Sequence, residues 1–199
     1  MPQQIFVIHG GNAFDHYDDY VASLLAKIVT LEQLREVGWK ARLGDVLGKD
    51  FEVFNPRMPN AQNARYLEWK IYFEKLISLM EPNVILIGHS LGAIFLAKYL
   101  SEEVFPKSIK ATFLVGAPFN TAEIHPLVDF NVSPNLDRLA QQGGDIVFYH
   151  SKDDEVVPYS NLEDYRRCLP NANYVTLYGR GHITDETFPE LVAALQKLV

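Results

Sequence analysis

What this 199-residue chain has little of narrows its class first. It carries a single cysteine, Cys168, which excludes an internal disulfide framework, and no C-x-x-C or clustered Cys/His spacing suggests zinc. Its apolar runs, such as Ile5 to Ile8, are far too short to span a membrane. The N-terminus also lacks the basic region and long apolar core of a signal peptide. Positive charge is sparse and scattered: with a net charge of −7 and a pI near 5.3, the chain has no electrostatic reason to bind nucleic acid or an anionic membrane. Repeats, linkers and low-complexity tracts are missing too. The expectation is one cytoplasmic domain spanning residues 1–199, with 48% hydrophobic residues to build a full core.

What is present alternates between two periodicities. Apolar runs without polar alternation, the pattern of strands covered on both faces, predict strands over Gln4 to Ile8, Phe51 to Asn55, Asn83 to Ile87, Lys110 to Val115, Asp145 to His150 and Tyr174 to Leu177. Between them, Trp69, Tyr72, Phe73, Leu76, Leu79 and Met80 recur at three- and four-residue spacing. This predicts an amphipathic helix from about Arg65 to Met80, ended by Pro82, with these residues in the core. Phe188, Leu191, Val192, Leu195 and Leu198 repeat the pattern at the C-terminus. The expected architecture is a single three-layer α/β domain with a mostly parallel six-stranded sheet.

The third predicted strand runs into Gly88-His89-Ser90-Leu91-Gly92, followed by the helix-like Ala93 to Leu100. A serine hydroxyl is a poor nucleophile unless it is held clear of the sheet beside a base and backbone donors, and a sharp strand-to-helix turn bounded by glycines does this. Further along, the fifth strand ends in Ser151-Lys152-Asp153-Asp154-Glu155-Val156-Val157-Pro158, and the sixth in Tyr178-Gly179-Arg180-Gly181-His182. Serine, acid and histidine thus follow in the order of α/β hydrolases, each just past the C-terminal end of a strand, where open parallel sheets place their ligands.

With these residues in view, the chain resembles the small, nearly lidless serine α/β hydrolases typified by retinoblastoma-binding protein 9 and the YdeN-like bacterial hydrolases. The likeness rests on Gln4 to Ile8 ending in His9-Gly10-Gly11-Asn12, on Gly88 to Gly92, on Asp153 to Pro158 and on Gly181-His182, and spans almost the whole chain. It implies a sheet order of two, one, three, four, five, six. It also implies that the acid lies four residues before the proline, at Asp154, with Asp153 in reserve. Two departures stand out. Residues Tyr17 to Lys49 make a long, partly helical first crossover, and no L-x-C-x-E sequence is present, so the family name implies nothing about retinoblastoma-protein binding.

A mechanism follows. Neutral His182 takes the proton of Ser90 and returns it to the leaving group, while Asp154 orients the imidazole. The backbone N–H of Leu91 and one from Gly11 or Asn12 form the oxyanion hole, and no metal or organic cofactor is expected. Among the other histidines, His89 reads as structural, and His9 and His150 as lining or bracing the site. The stretch from Ala117 to about Asn135 is too short for a mobile lid; Phe119, Ile124, Leu127, Val128 and Phe130 could wall a modest acyl pocket or simply pack on the domain. The expected partner is a small or mid-sized acyl substrate. A carboxylic ester leads, with thioester, amide and serine peptidase chemistry open, and a protein-interaction module on a hydrolase scaffold is the alternative.

Overall fold

The computed structural model describes residues 1–35, 37–120 and 127–199. Six strands form one sheet: β1 (Gln3–Ile8), β2 (Phe51–Phe54), β3 (Val84–His89), β4 (Ile109–Val115), β5 (Asp145–Ser151) and β6 (Asn173–Leu177). Their order is β2-β1-β3-β4-β5-β6 and every neighbouring pair is parallel. All six predicted strands are found within a residue or two of their expected ends, in the expected order.

The helices are α1 (Tyr17–Ala26), α2 (Leu31–Arg35), α3 (Trp39–Leu47), α4 (Tyr66–Ile77), α5 (Leu91–Glu102), α6 (Asp137–Gln142), α7 (Ser160–Cys168) and α8 (Pro189–Gln196). Successive strand residues point to opposite faces, so the sheet sorts its own side chains into two cores. Ile5 and Val7 of β1, with Ile85 and Ile87 of β3, pack with Trp39 and Leu43 of α3 and Leu191 and Leu195 of α8. Phe6, Ile8 and Leu86 face the other way, onto Phe73 of α4, Phe95 and Leu96 of α5 and Tyr165 of α7. Each such side chain, fully buried, contributes about 1.5–3 kcal/mol.

One helix differs from its expected extent. The segment predicted from Arg65 to Met80 stops at Ile77, because the chain tightens into three-residue turns, Leu79 N–H to the Leu76 carbonyl and Met80 N–H to the Ile77 carbonyl, before Pro82. That tightening swings Leu79 out to 67% exposure, whereas Trp69, Phe73 and Met80 are buried as expected. No helix among the described residues is long and apolar enough to cross a membrane.

Register fixes where chemistry can occur. Ile8 lies opposite Gly88, His89 opposite Val115, and Ser151 opposite Leu177, so the strands end level along one edge. The turns that leave this edge carry Gly10 to Asn12, Ser90, Gly116, Asp153-Asp154 and His182.

Candidate active site

The turn after β3 is strained and tightly walled. Ser90 has φ 56° and ψ −122°, an unusual conformation for a side chain-bearing residue that costs about 1–3 kcal/mol and persists only where the surroundings enforce it. Enforcement comes from the Ser90 N–H bonded to the Val115 carbonyl at 2.9 Å and from the two flanking glycines. A Cβ on Gly88 would stand 2.5 Å from the Gly92 carbonyl oxygen, and one on Gly92 would stand 2.6 Å from that of His9. Only glycine lets the start of α5 slide this close to β1, and Ser90 is left half-buried at the edge.

Leu91 and Gly92 open α5 at the positive end of the helix dipole, and the next N–H, that of Ala93, is taken by the Ser90 carbonyl at 2.8 Å. Gly10 lies against the elbow, where an added Cβ would be 3.1 Å from that of Ser90. Of the two candidates for a second oxyanion donor, Asn12 is committed elsewhere: its N–H donates to the Ala61 carbonyl at 2.8 Å. That leaves Gly11 as the remaining candidate. His9 braces this loop, with Nδ1 donating to the Gly10 carbonyl at 2.6 Å and Nε2 accepting from the Met58 N–H at 2.9 Å.

The candidate acid and base sit together. His182 Nδ1 is 2.8 Å from Asp154 Oδ2, while Asp154 Oδ1 accepts the N–H groups of Val156 and Val157 at 2.9 and 2.8 Å. The Asp154 side chain is fully buried and that of His182 is 14% exposed, so the pair is shielded except at the imidazole edge. With Nδ1–H held by the carboxylate, Nε2 is the free lone pair, the arrangement a general base requires. Ser90 Oγ makes no hydrogen bond to His182 among the described residues; such bonds commonly tighten only around substrate. His150, fully buried, donates Nε2–H to the Val157 carbonyl at 2.8 Å and so props the acid turn, and burial lowers its pKa.

Asp153, the reserve acid, does something else. Its Oδ1 accepts the Ser151 hydroxyl at 2.5 Å and the Gly179 N–H at 2.9 Å, and Oδ2 faces the Gly181 N–H at 3.2 Å. These bonds, the Ser151 one foremost, pull its pKa down to about 2 and tie the turn bearing His182 to the acid turn. The same turn is gripped from the first crossover: Trp39 Nε1 donates to the Ile183 carbonyl at 2.9 Å, and Trp39 N–H to that of Asp185 at 2.8 Å. Ile183 is itself at φ 54°, a position that β-branched residues rarely tolerate. Gly116, at the end of β4, completes the floor. A Cβ there would lie 3.3 Å from His182 Cε1 and 3.5 Å from Asp154 Oδ2. Sequence reading passed over Gly116, Trp39 and the clamp by Asp153; the one legible signal was a glycine at the end of a buried strand.

The proposed acyl-pocket residues divide. Phe119 is half-buried and meets the Tyr165 ring edge-on at 4.8 Å. Leu127 is buried. Phe130, at 0% exposure, has its ring against Tyr66 and Trp69, so it is a core residue that anchors the loop and has no face left for a ligand. Ile124 lies outside the described residues. Among the described residues, no group of three or more His, Cys, Asp or Glu side chains converges as metal ligands would.

Comparison with known proteins agrees with this fold. YdeN of Bacillus subtilis (strain 168) is 22% identical over 195 residues, covering 96% of this chain and 92% of YdeN. The crystal structure of the B. subtilis ydeN gene product superposes with a TM-score of 0.73 at 18% identity, over 98% of each chain. The esterase domain of a Rhodothermus marinus protein gives 0.61 at 17% identity, over 98% of this chain and 83% of that one. These structural likenesses are those of the α/β-hydrolase fold. The family model described as serine hydrolase matches residues 31–196, and with that match the chain belongs to the serine hydrolase family.

Proposed function

We propose that this serine hydrolase cleaves small or mid-sized carboxylic esters through an acyl-enzyme on Ser90, with thioesters and amides as further acyl substrates. The observation that carries the reading is the buried Asp154 carboxylate 2.8 Å from His182 Nδ1, on the same strand edge as the strained Ser90. The family membership and the esterase fold neighbour support it.

In this mechanism His182 Nε2 accepts the Ser90 proton as Oγ attacks the acyl carbon. Asp154 stabilises the imidazolium, and the Leu91 and Gly11 N–H groups receive the oxyanion. Collapse expels the leaving group with the proton from His182. Water then attacks the acyl-serine by the same route, releasing the acid and restoring Ser90. The short stretch between β4 and α6 favours modest acyl groups over lipid surfaces.

The test is covalent. A fluorophosphonate probe should label the wild type on Ser90, and Ser90→Ala should lose both labelling and turnover of short-chain p-nitrophenyl esters while keeping its circular dichroism and melting temperature. Label on Ser101 or Ser151, or a wild type that neither labels nor turns over, would reject the reading and leave an interaction module on a hydrolase scaffold.

A further inference from the structure

Behind the catalytic histidine stands a second, buried histidine that the mechanism does not use. His89 is 4% exposed, and its ring centroid lies 4.9 Å from that of His182. Its Nε2 is 2.8 Å from the His182 carbonyl oxygen. A carbonyl can only accept, so Nε2 must carry the proton. A neutral imidazole then has a bare Nδ1, and 3.4 Å from it is the ammonium of Lys40, which can only donate. Lys40 follows Trp39, whose ring it also overhangs at 5.0 Å, so the long first crossover delivers this amine to the rear of the site.

We propose that Lys40 and His89 are a positioning pair for His182: His89 holds the main-chain carbonyl of the base, and Lys40 selects the His89 tautomer that can do so. This rests on the reading of His182 as the base. In the opposite tautomer, Nε2 would present a lone pair to the carbonyl and Nδ1–H would point at an ammonium, so both contacts would turn repulsive. The charged groups around His89 act in the same sense. Burial first, then the charges of Lys40, His182 and His9, hold its imidazole well below the ordinary range despite the opposing bond to the His182 carbonyl. His89 therefore stays neutral, and no second cation forms beside the imidazolium during turnover. Burial brings the Lys40 amine itself down to about 8, so the selecting charge is present at neutral pH and fades above it.

Two readouts test the pair. Nitrogen-15 NMR of histidine side chains in the wild type should find His89 as the Nε2–H tautomer at pH 7, and Lys40→Met should convert it to a tautomer mixture. In parallel, active sites are counted with the fluorophosphonate probe and kcat is expressed per titrated site. His89→Leu should lower per-site kcat by about tenfold to a hundredfold with KM nearly unchanged, the signature of a misplaced base. His89→Gln, which keeps a donor at the Nε2 position, should recover most of it, and Lys40→Met should fall between. An Nδ1–H or charged His89 in the wild type overturns the proposal. So does a His89→Leu enzyme with fewer titratable sites but unchanged rate per site, because that is loss of folding alone. A wild type without labelling at Ser90 would instead overturn the hydrolase reading, and the NMR result would still judge the contact to His182.

Discussion

The elbow and the first crossover are built on opposite terms. In α5, nine residues of twelve are buried, and the glycines beside Ser90 leave no space for even a methyl group. In α1, no residue is buried, and from its Leu25 through Ile28 to Leu31 and Leu34 of α2 the apolar side chains stand 83%, 79%, 68% and 71% exposed. Yet the crossover starts at the site and touches it again at Trp39. Ala64 N–H bonds the Asn12 carbonyl and Arg65 the Phe14 carbonyl on one side, and Trp39 grips the histidine turn on the other. The elbow is specified along its whole length, the crossover at a few anchoring points.

The strongest way to break this contrast is at the acid. Asp154→Asn should cost about 10³–10⁴ in kcat while the protein stays folded, because the imidazole loses its orienting carboxylate. A loss of less than tenfold in purified enzyme would remove Asp154 from the triad. Next in size, Gly116→Ala forces a side chain at φ 54° beneath the His182–Asp154 pair. It should lower kcat about tenfold or more and melting stability by about 1 kcal/mol, from left-handed strain and the displaced ring. Unchanged kinetics would show that the floor yields. Asp153→Asn keeps one acceptor oxygen, so it should cost only about threefold to tenfold, well short of Asp154→Asn. The reverse ranking would transfer the acid's role.

A pH profile sharpens the comparison. Burial holds both His89 and His150 below the ordinary imidazole range, so neither adds a protonation to the acid limb. Asp153, with its pKa lowered to about 2, keeps its clamp above the usual carboxylate range and loses it only as pH falls through about 2. The acid limb of log(kcat/KM) should therefore have a slope of one; a slope of two would mean that another histidine joins. The smallest effect is expected in the crossover itself: Leu25→Ser should shift unfolding free energy by no more than about 0.5 kcal/mol. A larger loss in chemical denaturation would mean that α1 has a packed partner.

The same contrast explains what could be read from the chain. The strands and the residues at the elbow were legible because each is a local pattern: an uninterrupted apolar run, a glycine-bounded serine, a histidine after a glycine; the order of the strands came only through resemblance. Asp154 was legible only through resemblance, since three adjacent carboxylates share one turn, and its choice over Asp153 now rests on which carboxylate reaches Nδ1. The clamps by Trp39, Lys40 and Asp153 join turns far apart in sequence, so no spacing announces them. Leu79 was misplaced because helical periodicity continues on paper past the point where the chain has already begun to turn. Phe130 was misassigned because an apolar loop residue reads alike whether it faces a ligand or the core.

The all-parallel sheet also sets an order in time. Even the partners nearest in sequence, Val84 and Ile109, are separated by a whole helix, so no ladder forms as a simple hairpin and each must wait for a crossover to fold back. During synthesis at about 5–20 residues per second, Ser90 is made roughly 5–20 s before His182. Early in that interval the Ser90 turn still lacks the Val115 carbonyl that holds it, then Asp154, and to the end it lacks His182. On the proposed mechanism, reactivity arrives last, when β6 pairs with β5 and the histidine turn is tied down, so the serine is inert until then.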